Sequence, residues 1–242
     1  MQSLNSLKPY SQAEQKMLNG SALGERTSLG DGDPPKEATP QVAVRAEFIR
    51  ALLLSTDEKA PLHAKGIRLR GAYIVGSLDL QGVDCQHDIT LTRCYLEKQP
   101  SFINARVRGL HLSGSICPGL AADNAQFDGS VYLRNGFIST AEISIPGVRI
   151  SGNLQICDAE LSSDHPACLF ATSARIEGSV YLGDYPYDET ASELRANGAL
   201  MFSSLKVGQD FYMKNCAIAP GGGTVAKPLY ICLLYTSPSP RD

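Results

Sequence analysis

In this chain of 242 residues, chemistry is sought first where ionisable side chains recur at useful spacings. Four histidines stand at His63, His87, His111 and His165, the first three separated by steps of twenty-four. Such a step can bring imidazoles toward one edge of a repetitive fold, but a metal site needs three or four converging ligands and a supporting shell. The spacing supplies no such convergence, so neither a metal nor a cofactor is expected. Two carboxylate pairs, Asp158-x-Glu160 and Asp188-Glu189, have the composition of a glycoside-cleaving acid and base. Asp188 and Glu189, as neighbours on an extended segment, face opposite ways, and the chain has no tryptophan to stack on a sugar. No Walker loop, GxGxxG after a strand, GxSxG or HExxH occurs. The expectation is a non-enzymatic protein.

What must position any site is a repeat. From Ile67 to Ile218 the chain carries pairs of apolar residues two apart, as in Ile67-x-Leu69, then Ala72-x-Ile74, with the unit renewed about every eleven residues. Four slots (a, b, c, d) at offsets 0, 2, 5 and 7 give thirteen units, starting at 67, 78, 89, 100, 110, 120, 131, 143, 154, 169, 180, 200 and 211. Only Pro100, Ser115 and Gly136 fall outside the apolar set, although just 43% of the chain is apolar. Spacing of two places both residues on one face of a strand, whereas a helix would require three and four. Stacked short strands about 4.8 Å apart would line one shared interior. The predicted fold is an all-β solenoid, a four-sided parallel β-helix of about 22 residues per coil.

The c-x-d pairs Ala72-Tyr-Ile74, Ala105-Arg-Val107, Ala125-Gln-Phe127 and Ala174-Arg-Ile176 resemble the small-x-large core of pentapeptide-repeat proteins, here with alternating steps of five and six. With Arg45-Ala-Glu-Phe-Ile-Arg50 and Gly66-Ile-Arg-Leu-Arg-Gly-Ala72, the chain from about Ser11 to Ile218 resembles a group of largely uncharacterised bacterial β-helix proteins. The resemblance implies a fold, and right-handed coils, but no catalytic residue.

In this register every change of length falls between slot d and the next slot a. The long gaps, 162–168 and 188–199 with a smaller one at 139–142, all follow odd-numbered units, so they would leave one edge. Loops on a rigid scaffold commonly carry binding. The candidate contact residues are Asp164, His165, Tyr185, Tyr187, Asp188, Glu189, Glu193 and Arg195, an acidic lip with aromatics. Tyr185 and Tyr187 also fit slots c and d, which would place them in the core.

The flanks read differently. Ser11-Gln-Ala-Glu14 is a capping box opening a helix that Gly20 can end. Thr39-Pro40 predicts a second helix running to about Leu54, and Arg45, Glu47 and Arg50 are expected in surface ion pairs. Residues 1–65 are read as a helical cap and 66–218 as the β-helix. Residues 219–242 are read as an artefactual tail, because Cys232-Leu-Leu-Tyr-Thr-Ser-Pro-Ser-Pro-Arg-Asp242 resembles translated sequencing-adapter sequence. The natural chain is then expected to continue beyond about Ile231.

Residues 66–218 hold twelve Lys/Arg and sixteen Asp/Glu, a net of −4. Phosphate contacts need a basic surface, so no direct nucleic-acid binding is expected. Cys85, Cys94, Cys117 and Cys216 fill inward slots and no CxxC occurs, which favours reduced thiols and a cytoplasmic location. Membrane association is expected only through sequence beyond the C-terminus. The leading expectation is a scaffold that binds another protein, of basic character, through its loop edge. The alternatives are a carbohydrate-acting or carbohydrate-binding domain and a structural, membrane-associated element.

Overall fold

A computed structural model describes residues 4–55, 62–187, 192–219, 229–231 and 235–236. The chain is predominantly β, built of parallel strands, with two α-helices among the described residues, α1 (Gln12–Leu23) and α2 (Ala46–Leu53). Each slot pair forms part of a short strand, and each strand pairs in parallel with its counterpart about two units later. Four ladders result.

The first ladder aligns Ile67, Ile89, Leu110, Val131, Leu154, Val180 and Phe211. The second aligns Tyr73, Tyr95, Ile116, Ile138, Glu160, Arg195 and Ala217. The third runs through Ser101, Ala121, Ser144, Phe170, Met201 and Tyr230. The fourth runs through Cys85, Val107, Phe127, Ile150, Ile176 and Val207. The chain visits the ladders in that order and then returns to the first.

The corner between slots b and c has one recurring device. The residue just before slot c has a positive φ, as at Asn104 (55°), Asn124 (54°) and Gly147 (64°). Asn and Gly tolerate this left-handed conformation at least cost, so they turn the chain from one ladder to the next. The slots themselves are buried: Ile67, Leu69, Ala72 and Ile74 have no exposed surface, and the pattern persists to Val207. In the final unit, Phe211, Met213, Cys216 and Ile218 are only half-buried. Ser115 occupies a c slot as a polar residue with satisfied bonds. Its hydroxyl donates to the Leu91 carbonyl at 2.8 Å and accepts from the Cys94 N–H at 2.9 Å.

The structure changes the expected register twice. Asn135 and Gly136 both have positive φ and put one extra residue into the b–c corner, a local bulge. Phe137 and Ser139 therefore point inward, while Gly136 is exposed and Ile138 turns outward. Further on, Leu194 and Ala196 pair with Ala159 and Leu161 and fill slots c and d, displacing Tyr185 and Tyr187. The long insertion thus spans 184–193 and lies between b and c. The 162–168 segment does lie between d and a, within the strand Leu154–Phe170. The two insertions leave different corners, and the small expansion at 139–142 disappears once Ser139 is the d slot.

The N-terminal region also contributes to the ladders. Thr27–Ser28 pairs with the strand Ile67–Arg70, and Ala43–Arg45 pairs with Tyr73–Val75. Because Ala43–Arg45 is extended, α2 begins at Ala46 and not at Pro40. Its Phe48, Ile49, Leu52 and Leu53 join the same buried cluster as the slots. The Ser11 capping box is formed, but α1 passes through Gly20 and is closed by left-handed Gly24. Arg45 is tied to a buried partner, Glu14, and Arg50 donates to the Asp79 carbonyl at 2.7 Å, so these are structural links between the N-terminal region and the ladders.

Candidate protein-binding face

Outward residues of a ladder form a column, since side chains alternate across each strand. On the second ladder that column is Tyr73, Tyr95, Ile116, Ile138, Glu160, Arg195 and Ala217, all half-exposed or exposed. Its first four members form an apolar stripe, with the Tyr73 and Tyr95 rings 4.9 Å apart between centroids. Beyond it lies an apolar groove of about 510 Å³ lined by Ile138, Leu161, Ala217 and Ile218. A smaller depression of about 150 Å³ adjoins it at Gly136 and Asp158.

Charge crosses this face as a short chain of ion pairs. Arg195 Nε donates to Glu193 at 2.8 Å and Nη1 to Glu160 at 3.4 Å. All three side chains line the smaller depression, and Glu160 and Arg195 also border the groove. One guanidinium meets two carboxylates, with Asp158 also lining the smaller depression, so the rim of that depression stays acidic. Exposed ion pairs of this kind contribute little to stability.

The expected contact residues divide among three places. Glu193 and Arg195 stand on the second-ladder face. Asp164 and His165 are exposed on the 162–168 excursion, beside the groove's Ser162, with the His165 N–H donating to Ser163 Oγ at 2.9 Å. Tyr185 and Tyr187 leave the core, contrary to the slot assignment, because Leu194 and Ala196 take those positions. They pack in a row with Tyr181, at 5.1 and 5.5 Å between successive centroids, and so extend the outer side of the first ladder. Asp188 and Glu189 lie outside the described residues. Sequence reasoning missed Ile138 and Ala217 because the first was assigned to the interior and the second sits between two slots.

The base of the 184–193 insertion is pinned. Asp184 accepts from Lys214 at 2.7 Å and from Ser192 Oγ at 3.5 Å. The Lys214 hydrogen bond holds the Asp184 carboxyl below its usual range.

The rungs repeat at 21 or 22 residues over this region, so His63, His87 and His111, spaced by twenty-four, drift through different positions of the repeat; His111 lies opposite Thr90. Among the described residues no group of three His, Cys, Asp or Glu side chains could hold a metal ion, and no helix is long and apolar enough to cross a membrane. No family model, no curated protein and no solved structure matches this chain.

Proposed function

We propose that the chain is a four-sided parallel β-helix, with about 22 residues per coil in its regular part, acting as a non-enzymatic scaffold for another protein. The reading rests on four parallel ladders visited in fixed order, each with its slots in a continuous interior. The likeness to pentapeptide-repeat-like bacterial β-helix proteins belongs to the same proposal. Buried thiols without a disulfide among the described residues fit a reducing, cytoplasmic setting.

The observation that carries the binding reading is the apolar groove on the second-ladder face, bordered by Glu160 and Arg195. An apolar centre inside a charged rim is the arrangement of protein interfaces. The acidic excess in the adjoining depression favours a partner segment that presents an apolar anchor flanked by Lys or Arg. The test places a photo-crosslinking residue at Ala217, and at Arg149 on the fourth ladder as control, each with and without Ile138→Glu. A crosslinked basic segment that appears only at position 217 and vanishes with Ile138→Glu supports the reading. Equal capture from both positions, or capture indifferent to Ile138, overturns it.

A further inference from the structure

The outer side of the first ladder carries a second surface of opposite character. Near its N-terminal end lies a groove of about 760 Å³ whose lining includes Arg26, Lys65, Arg68, Arg108 and Arg134, with Asp88 as the one carboxylate among the described lining residues. In a chain of net charge −3, five cations around one groove are a local concentration that bulk composition hides. Arg68, Thr90, His111 and Tyr132 occupy successive rungs of one column, so the charged strip spans three strand spacings, about 14 Å. Among the described residues, internal pairing neutralises little of it. Arg108 approaches Asp88 only to 3.7 Å, and Arg134 Nη1 is bonded to the neutral Gln155 at 2.7 Å. Arg134 Nε is enclosed without a hydrogen-bond partner.

We propose that this groove binds an acidic oligosaccharide, its carboxylates held by the Arg and Lys side chains. Arginine forks match carboxylate geometry and a groove focuses their field. Thr90, Thr92, Ser113 and Asn135 supply hydroxyl and amide groups for the sugar hydroxyls, with Asp88 as a further acceptor. The repeat suits such a ligand, since one rung advances by about 4.8 Å, close to the length of a sugar ring in an extended chain. A single-stranded nucleic acid fits less well. It needs open ring faces for its bases, yet the Arg134 guanidinium covers Tyr132 at 4.6 Å and His111 abuts that ring at 4.6 Å. This surface is separate from the protein-binding face and stands or falls independently of it.

The experiment is calorimetric titration of the full chain with oligogalacturonate, a neutral cello-oligosaccharide of equal length, and oligo-dT. Lys65→Gln with Arg108→Gln removes two exposed cations of the groove; Arg149→Gln with Arg175→Gln removes two from the fourth ladder, and circular dichroism verifies folding of both. The expected result is binding of oligogalacturonate alone, weakened about tenfold by the groove variant, unaffected by the other, and reduced by added salt. Absence of oligogalacturonate binding overturns the proposal. So does tighter binding of oligo-dT, which would assign the groove to nucleic acid, or equal loss in both variants, which would reduce the effect to general surface charge.

Discussion

Arg45 closes a two-pronged grip on Glu14, with Nε to Oε1 at 2.7 Å and Nη2 to Oε2 at 2.8 Å, while its backbone N–H reaches Oε1 at 3.1 Å. Glu14 is buried in α1, and Arg45 ends the strand that starts the second ladder. One ion pair therefore fastens the N-terminal helix to the ladders. Burial pushes the Glu14 carboxyl up, but the Arg45 and Ser11 hydrogen bonds outweigh it and hold the group below its ordinary range.

Glu14→Gln should cost about 2 kcal/mol at neutral pH, less than the roughly 3–5 of a fully buried pair because Arg45 is one-third exposed. A carboxyl depressed by folding stabilises the protein above its unfolded pKa. That stabilisation is lost as pH falls through the folded value. Urea unfolding of both proteins should accordingly show a gap that is full near pH 7 and closes below the ordinary glutamate range. A gap independent of pH would contradict the assignment.

The bulge at Asn135–Gly136 makes a sharp distinction between neighbours. Phe137→Ala should destabilise by about 3–5 kcal/mol, and Ile138→Ala by less than about 1. Thermal or chemical denaturation of the pair measures the register directly. A larger loss at Ile138 would restore the uninterrupted repeat.

The same logic applies at the insertion. Leu194→Ala should cost about 2–5 kcal/mol, whereas Tyr187→Ser should stay within about 0.5, since Leu194 is fully buried and Tyr187 is 78% exposed. Comparable losses at both positions would mean that the tyrosines share the core.

Ser115→Ala removes a hydroxyl that serves two buried backbone groups, the Cys94 N–H and the Leu91 carbonyl. The expected loss is about 1–3 kcal/mol, despite the rise in apolar character, because the Cys94 N–H is left without a partner. A denaturation midpoint equal to that of the parent protein would show that the slot tolerates any small residue.

Burial pushes the thiols of Cys94, Cys117, Cys157 and Cys168 up to about 12, and that of the half-buried Cys216 to about 11. Since the thiolate is the reactive form, iodoacetamide at pH 8 should modify Cys216 before these four, which should react only after unfolding. Peptide mass spectrometry over time gives the order. Early labelling of Cys94 would show that the interior opens in the native protein.

The period of the repeat, its inward slots and its parallel-strand character are legible from sequence alone, because alternation of two on a strand leaves only one way to bury Ile67, Leu69, Ala72 and Ile74 together. Where the chain departs from the period, alternation loses its authority. Tyr185-x-Tyr187 and Leu194-x-Ala196 are both apolar pairs, and only pairing with Ala159 and Leu161 selects the second. The extra corner residue at Asn135–Gly136 likewise shifts Phe137 into the interior by a backbone turn that apolar pattern does not encode. Tertiary structure also decides the surfaces. Arg26, Lys65, Arg68, Arg108 and Arg134 are scattered over more than a hundred positions, and successive rungs bring them around one groove. The interior of these parallel ladders is written locally, one unit at a time, whereas their outer faces are assembled from residues far apart in sequence.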